Sequence, residues 1–151
     1  EETPCYNATV YINGKKAVEV SNDGHGGSDR QDAWHETGFN LNTINKWCIK
    51  TFGKKSFTYH SDDEEKECTY DCDLEQFCHD ELYKWLDSKL LKKDMNKKYL
   101  FVEDKKLYGY LRKNKDQDVT FKTFFYEKHP SAKCLNFMSF DDALTLYKES
   151  A

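Results

Sequence analysis

The residues best suited to binding chemistry cluster in a glycine-rich stretch from Ser21 to Arg30, which reads Ser-Asn-Asp-Gly-His-Gly-Gly-Ser-Asp-Arg. Glycines let a backbone turn several N–H groups toward one point and let a ligand approach closely. A serine can hydrogen-bond a phosphate or ribose, an arginine can form a charged fork to it, and an asparagine can fix the loop or contact a base edge. The sequence therefore predicts an anion-binding loop whose ligand-binding residues are Asn22, Gly24, His25, Gly26, Gly27, Ser28 and Arg30.

The spacing in this loop excludes the two common nucleotide-binding motifs. No Gly-Lys-Ser or Gly-Lys-Thr follows the glycines, and the loop follows a predicted hairpin instead of entering a βαβ unit. His25 could act as an acid or base, although an exposed polar role is the simpler interpretation. Because no local pattern arranges a nucleophile, a base and an orienting group, we predict a binding protein and not an enzyme. The alternative for the loop is a bend that carries the chain away from an edge strand.

Cysteine and histidine side chains offer a second kind of site. Cys68, Cys72, Cys78 and His79 lie within twelve residues of the chain, and zinc accepts both ligand types. The short CxxC spacing is absent, and neither Cys72, at a helix entrance, nor Cys78, on the apolar stripe, should point the same way as Cys68. We therefore predict no metal ion and no cofactor, with a disulfide under oxidising conditions as an alternative.

A hairpin at residues 5–20 leads into the loop, and a helix follows it. β-forming residues surround Asn13-Gly14, a pair that accepts the positive φ angles of a type I′ turn. Ala8, Val10 and Ile12 are predicted on one face of this hairpin. Helical spacing over residues 41–52, with Gly53 as a stop, predicts a helix with this apolar face: Leu41, Ile44, Trp47, Cys48 and Thr51.

The longest predicted helix covers residues 73–93, with Asp71 or Asp73 as its N-cap. Acidic residues at its start and lysines at its end match the helix dipole. Such a helix buries one apolar stripe. The predicted stripe comprises Leu74, Phe77, Cys78, Leu82, Trp85, Leu86 and Leu90.

Strands and one more helix are predicted in the rest of the chain. Residues 56–60 have the pattern of a short strand, and the acidic run 61–67 that of a solvated loop. A second hairpin turns near Asp104-Lys105, residues 119–126 are predicted as a strand, and Ser139 caps a last helix over 140–149. Because no repeat or linker divides the chain, we predict one α+β domain over residues 1–151, built around a mainly antiparallel sheet.

Composition limits the function classes. The 151 residues include 15% aromatic side chains and carry a net charge of −4, which supports a folded core and argues against a general nucleic-acid binder. No apolar run is long enough to span a bilayer. Six cysteines and a sequon at Asn7 leave a secreted, disulfide-bonded protein as an alternative. Because a chain of this length needs no disulfides to fold, we predict a reducing, intracellular setting.

Three stretches resemble small phage and prophage accessory proteins. In these proteins a short hairpin runs into a Ser-Asn-x-Gly-x-Gly-Gly loop, as residues 11–29 do here. Residues 90–102 with 106–108 are similar to their second half, and residues 135–144 are similar to their end. Such proteins commonly inhibit a host defence protein or sequester a defence signal, so the resemblance implies a counter-defence role in the host cytoplasm. One class that this chain resembles is the Thoeris anti-defence proteins, which sequester signals of the cyclic ADP-ribose type.

These observations support three hypotheses. The first is a phage counter-defence protein that sequesters a nucleotide-type immune signal, such as a cyclic nucleotide or a cyclic ADP-ribose-type ligand, at the glycine loop. The second is an inhibitor that binds a host defence protein or nuclease through its charged surface, including residues 62–65. The third is a secreted, disulfide-bonded binding protein. We predict no membrane association, and a homo-oligomer is compatible with each hypothesis.

Overall fold

A computed structural model describes residues 3–61, 64–113 and 117–150 of the chain. Within these ranges it contains four α-helices and eight β-strands, and every strand pair is antiparallel. The predicted α+β class with antiparallel pairing is confirmed. The chain divides into two compact units, Glu1–Glu81 and Leu82–Ala151, and its organisation as a single domain stays a prediction. No helix among the described residues is long and apolar enough to cross a membrane.

A three-stranded sheet opens the N-terminal unit. Its strands are β1 (Tyr6–Ile12), β2 (Lys15–Asn22) and β3 (Arg30–Ala33), with β2 in the middle. Asn13 and Gly14 connect β1 to β2 with φ angles of 51° and 77°, as a type I′ turn requires. The predicted first hairpin is thus confirmed. The sequence gives no sign of β3, because its four residues lack alternating apolar side chains, and the glycine loop returns the chain to the same sheet.

A β-bulge sets which side chains of the first hairpin face the core. Val10 pairs with Val18 but Tyr11 pairs with Lys16, so Ala17 has no partner on β1. Ala17 and Val18 are both 0% exposed. The predicted apolar face of β1 is only partly correct, because Val10 and Ile12 pack against the core whereas Ala8 is exposed.

Two helices complete the core of this unit: α1 (Leu41–Phe52) and the first turns of α2 (Leu74–Lys97). Asn40 caps α1, because its Oδ1 atom accepts from the N–H groups of the second and third helical residues at 2.9 and 3.3 Å. Asp73 is the N-cap of α2 and accepts from the Gln76 N–H at 3.0 Å. The buried side chains that join the helices to the sheet are Ala17, Val18, Val20, Ile44, Cys48, Leu74 and Cys78.

A separate two-stranded sheet lies between the two helices in sequence. It pairs β4 (Lys54–Ser61) with β5 (Glu64–Asp71). The predicted strand at 56–60 is confirmed, whereas the prediction of a solvated loop over 61–67 is wrong for residue 61 and for residues 64–67, which lie in strands. Residues 62 and 63 lie outside the described residues. The acidic run forms a strand because β4 supplies cross-strand partners, such as Tyr59 opposite Lys66, that propensity alone does not reveal.

The C-terminal unit contains the last part of α2, a second three-stranded sheet and two further helices. Strand β6 (Lys98–Glu103) lies between β7 (Lys106–Leu111) and β8 (Lys133–Cys134). Asp104 and Lys105 form its hairpin turn with φ angles of 51° and 62°, which confirms the second predicted hairpin. The two further helices of the C-terminal unit are α3 (Asp118–Lys128) and α4 (Phe140–Ser150). Ser139 caps α4 as predicted, since its Oγ atom accepts from the Asp142 N–H at 3.2 Å.

The predicted strand at residues 119–126 is wrong, because these residues lie within α3. The aromatic and β-branched composition of residues 119–126 favours a strand. However, Phe121 and Phe125 are four residues apart and therefore share one helix face, where they pack against Tyr99 and Phe101 of β6. Packing against the sheet therefore outweighs the local propensity.

The predicted apolar stripe of α2 is only partly buried. Leu74 and Cys78 are 1% and 6% exposed, but Trp85, Leu86 and Leu90 are 56%, 38% and 46% exposed. The reason is that the two ends of the helix belong to the cores of different units and use different faces. Leu74 and Cys78 contribute to the N-terminal core, whereas the last part of the helix contributes Leu91 and Met95 to the C-terminal core.

Candidate functional site

Asn22 is the residue that organises the glycine loop between β2 and β3. It is 7% exposed at the end of β2. Its Oδ1 atom accepts from the Gly24 N–H at 2.9 Å and from the Thr3 hydroxyl at 2.8 Å. Its Nδ2 atom donates to the Gly27 carbonyl at 3.2 Å. One amide side chain therefore holds both sides of the loop and the N-terminal segment beside it.

Asp29 closes the loop and forms the centre of a polar cluster. Its side chain is 0% exposed and its carboxylate accepts from Asn22 Nδ2 at 3.0 Å and from the Tyr6 hydroxyl. Asp29 Oδ1 lies 3.2 Å from His79 Nε2, and the Asp29 N–H donates to Glu75 Oε1 at 3.1 Å. We call these five residues, Tyr6, Asn22, Asp29, Glu75 and His79, the Asp29 cluster. It joins β1, the loop and α2.

The Asp29 cluster has a negative electrostatic character. Burial and the hydrogen bond to Asp29 raise the pKa of the Tyr6 hydroxyl well above its usual value, so it remains a protonated donor at neutral pH. Burial raises the pKa of the neighbouring Cys78 thiol to about 12, with Asp29 as the next cause. A place that disfavours additional negative charge is unsuited to a phosphate.

Several N–H groups of the loop are also engaged within the protein. Gly24 donates to Asn22, His25 donates to Asp23 Oδ1 at 3.3 Å, and Gly26 donates to Thr3 Oγ1 at 3.2 Å. An anion cradle needs such N–H groups to converge on the ligand. The geometry therefore does not favour anion binding at the loop, and this role stays a prediction.

The structure does not bring the predicted ligand-binding side chains to one point. Asn22 is buried, whereas His25 and Ser28 are exposed. Arg30 has a 78% exposed side chain, and its Nε atom lies 2.8 Å from Asp32 Oδ2. Both Arg30 and Asp32 border a polar hollow on the solvent face of the sheet. The predicted ligand-binding side chains thus lie in two different environments, one in the interior of the unit and one in solvent.

Positive φ angles explain why the loop contains glycines. Gly24, Gly26 and Gly27 have φ angles of 83°, 82° and 100°, which side chains with a Cβ atom rarely adopt. Gly24 also allows a close approach, because an added Cβ would lie 3.1 Å from the Cys5 Cβ and 3.3 Å from the Thr3 carbonyl oxygen. These glycines shape and pack the loop.

An open apolar groove of about 430 Å³ lies elsewhere on the N-terminal unit, between the end of β1 and helix α1. Its exposed side chains include Tyr11, Trp47 and Phe52, which are 57%, 58% and 41% exposed. Phe52 contacts Trp47 edge-on at 5.8 Å between ring centroids and stacks on Phe77 at 5.2 Å. We call this surface the aromatic groove and define it by Tyr11, Trp47, Phe52 and Phe77.

Sequence reasoning missed both the aromatic groove and the Asp29 cluster. It placed Trp47 on the core face of α1, which is wrong because only Ile44 and Cys48 of that helix are buried. The lysine at Lys50, one turn after Trp47, is the signal that this face is exposed. The spacing of Glu75 and His79, four residues apart on a predicted helix, was visible in the sequence. Their proximity to the loop depends on the path of the chain.

The cysteines do not form the metal site considered above. All six are free thiols, and Cys48, Cys72, Cys78 and Cys134 are buried. Burial raises the pKa of each of these four thiols. Among the described residues, the set of side chains close enough to hold a metal ion is Asp29, Glu75 and His79.

The sequence matches no family model, and neither a curated protein nor a solved structure is found to be similar to it.

Proposed function

We propose that this protein acts by binding, and that a partner protein docks on the aromatic groove. The observation that carries the proposal is the exposure of Trp47, Tyr11 and Phe52 around an open apolar depression. Tryptophan and tyrosine dominate the few residues that supply most of the energy of protein interfaces, where they occupy apolar pockets at the centre of the contact. Exposed apolar surface collected in one place is typical of an interaction site.

Charge beside the groove indicates the chemistry of the partner. Lys50 follows Trp47 by one turn, and Lys46 follows Thr43, a groove residue, by three positions. Both lysines are exposed and neither forms an ion pair with a described residue. A segment with an apolar or aromatic anchor and acidic flanking residues complements this surface. We therefore propose an acidic protein segment as the occupant.

The resemblance to phage and prophage accessory proteins supplies the biological setting of the proposal. In that setting the partner is a host defence protein, and docking blocks its action. Sequestering a cyclic nucleotide or a cyclic ADP-ribose-type signal is the alternative, and it requires the glycine loop to bind an anion. The engaged loop N–H groups and the buried Asp29 carboxylate favour the docking role.

The test combines selection of partner segments with a matched pair of tryptophan variants. A displayed library of host-protein segments is selected on the folded protein, and selected peptides are measured by fluorescence polarisation. Trp47→Ala should weaken binding by roughly tenfold or more, as expected for the loss of an interface anchor. Trp85→Ala is the control, because Trp85 is 56% exposed on the C-terminal unit, and it should leave binding unchanged.

Two further results decide between the proposals. The double variant with Lys46→Glu and Lys50→Glu should bind acidic peptides more weakly and bind neutral peptides nearly as tightly as the wild type. Selected peptides that bind Trp47→Ala as tightly as the wild type would overturn docking at the groove. Thermal shifts with cyclic nucleotides and cyclic ADP-ribose isomers test the alternative. A shift that Asn22→Ala abolishes and Trp47→Ala leaves intact would support signal sequestration instead.

A further inference from the structure

We propose that Asp29, Glu75 and His79 bind a divalent transition-metal ion of the zinc class. One potential ligand atom from each side chain lies within 4.8 Å of the other two. Imidazole and carboxylate groups are the ordinary nitrogen and oxygen ligands of zinc. This proposal is independent of partner docking at the aromatic groove.

One distance between ligand atoms, that between Asp29 and His79, matches metal coordination. Zinc–nitrogen and zinc–oxygen bonds of about 2.0–2.1 Å place tetrahedral ligand atoms roughly 3.3 Å apart. Asp29 Oδ1 and His79 Nε2 are 3.2 Å apart. Glu75 and His79 are four residues apart on α2, so both side chains project from the same helix face. Asp29 approaches them from the loop.

The surroundings of Asp29 resemble the outer shell of a metal site. The Tyr6 hydroxyl and Asn22 Nδ2 both donate to the carboxylate and so fix its orientation. The Asp29 N–H donates to one carboxylate oxygen of Glu75 at 3.1 Å, which leaves the other oxygen for an ion. Outer hydrogen bonds of this kind orient ligands and tune their affinity for a metal.

Charge is the observation that favours a metal ion over a simple hydrogen-bonded cluster. Two carboxylates contribute atoms to one site, and the Asp29 side chain is 0% exposed. Among the described residues, neither carboxylate forms an ion pair with a lysine or arginine. Buried carboxylates are normally paired or bound to metal. A divalent ion would neutralise both carboxylates.

Metal binding would link three parts of the N-terminal unit. The ion would connect the end of the glycine loop to α2, and Tyr6 would extend this connection to β1 through its hydrogen bond to Asp29. An ion that binds only the folded chain stabilises it. Above the dissociation constant, the stabilisation grows with the logarithm of the ratio of the ion concentration to that constant. Three protein ligands leave the remaining coordination positions to water.

The test is a titration of the whole protein with cobalt(II), followed by competition with zinc. We expect one ion per chain and a visible absorption band that is typical of cobalt(II) with a low coordination number. Zinc should raise the melting temperature. Nitrogen and oxygen ligation should give no intense thiolate-to-metal band in the near ultraviolet. His79→Gln and Glu75→Gln should each weaken binding by roughly tenfold or more. His25→Gln is the matched control, because His25 is exposed in the same loop, and it should bind like the wild type.

Glu75→Gln keeps an oxygen that can accept from the Asp29 N–H, so it separates loss of the ligand charge from loss of folding. If His79→Gln does not fold, Glu75→Gln therefore decides the matter. Three results would overturn the proposal: no cobalt or zinc binding to the wild type, wild-type affinity in the folded Glu75→Gln variant, or a strong thiolate band that assigns the ion to cysteines.

Discussion

Replacing Gly24 with alanine tests how tightly the glycine loop packs on the N-terminal segment. A Cβ at Gly24, where φ is 83°, would lie 3.1 Å from the Cys5 Cβ and 3.3 Å from the Thr3 carbonyl oxygen. Gly27 has a φ of 100°, and no described atom beyond its chain neighbours lies within 4 Å of such a Cβ. Both substitutions impose left-handed strain, but only Gly24→Ala adds a collision. Gly27→Ala is therefore the matched control.

The expected difference follows from these contacts. Left-handed strain costs an L-residue about 1–2 kcal/mol and applies to both variants. Replacing a glycine by alanine also lowers the conformational entropy of the unfolded chain. This effect is common to both variants and cancels in their difference. Overpacking typically adds about 1–3 kcal/mol. Because the contacts at Gly24 are short by only a few tenths of an ångström, we expect Gly24→Ala to be less stable than Gly27→Ala by about 1–2 kcal/mol.

Native-state hydrogen exchange at the amides of β2 and β3 measures this difference locally. The alkylation rate of Cys5 is a second measurement, and it should rise in Gly24→Ala because the added methyl group displaces the segment around Cys5. Equal protection in the two variants, together with an unchanged alkylation rate, would refute the packing of this segment on the loop.

The buried thiols and rings lead to three further expectations. Timed alkylation with mass spectrometry should modify Cys5 in the folded protein and Cys78 and Cys134 only after unfolding, because burial raises the pKa of these two thiols to about 12 and about 11. As pH rises above the ordinary thiol pKa of 9.0, the unfolded chain releases protons that the folded chain retains. Each of the two thiols should therefore lower the free energy of unfolding by up to about 1.4 kcal/mol for each pH unit, as measured by urea titrations. A free energy of unfolding that does not change with pH in this range would contradict this expectation. Phe125→Ala should destabilise the C-terminal unit by about 3–5 kcal/mol, and the exposed Phe124→Ala should change it far less, as measured by urea unfolding.

Local signals predicted the elements that depend on local chemistry. Asn13-Gly14 specifies its turn because both residues accept positive φ. Ser139 and Asp142 specify the start of α4 through side-chain hydrogen bonds to nearby N–H groups. These interactions join residues a few positions apart, so the sequence contains all the information that they need.

Elements that depend on distant partners were the ones that sequence reasoning missed. The polar strand β3 exists because β2 offers it hydrogen-bond partners. Helix α3 forms from a strand-like sequence because Phe121 and Phe125 find a surface on β6. Trp47 is exposed because α1 buries the face that carries Ile44 and Cys48, and Lys50, one turn after Trp47, is the local signal of that exposure.

The candidate site shows the same division between local and distant information. The glycine loop was found from its composition, and its positive φ angles agree with that composition. Its most important neighbours, Glu75 and His79, come from a helix more than forty residues away in sequence. The buried carboxylate of Asp29 was therefore not recognised among the loop residues, although it contacts both the loop and α2.

Amide chemical-shift mapping shows directly where an acidic segment binds on the protein. A selected acidic peptide is added to the isotopically labelled protein, and the perturbed backbone resonances are assigned. Docking on the aromatic groove predicts that the largest changes occur in α1 and at the end of β1, around Trp47 and Tyr11, and that Trp47→Ala removes them. Changes confined to the glycine loop or to the C-terminal unit would contradict docking on the aromatic groove.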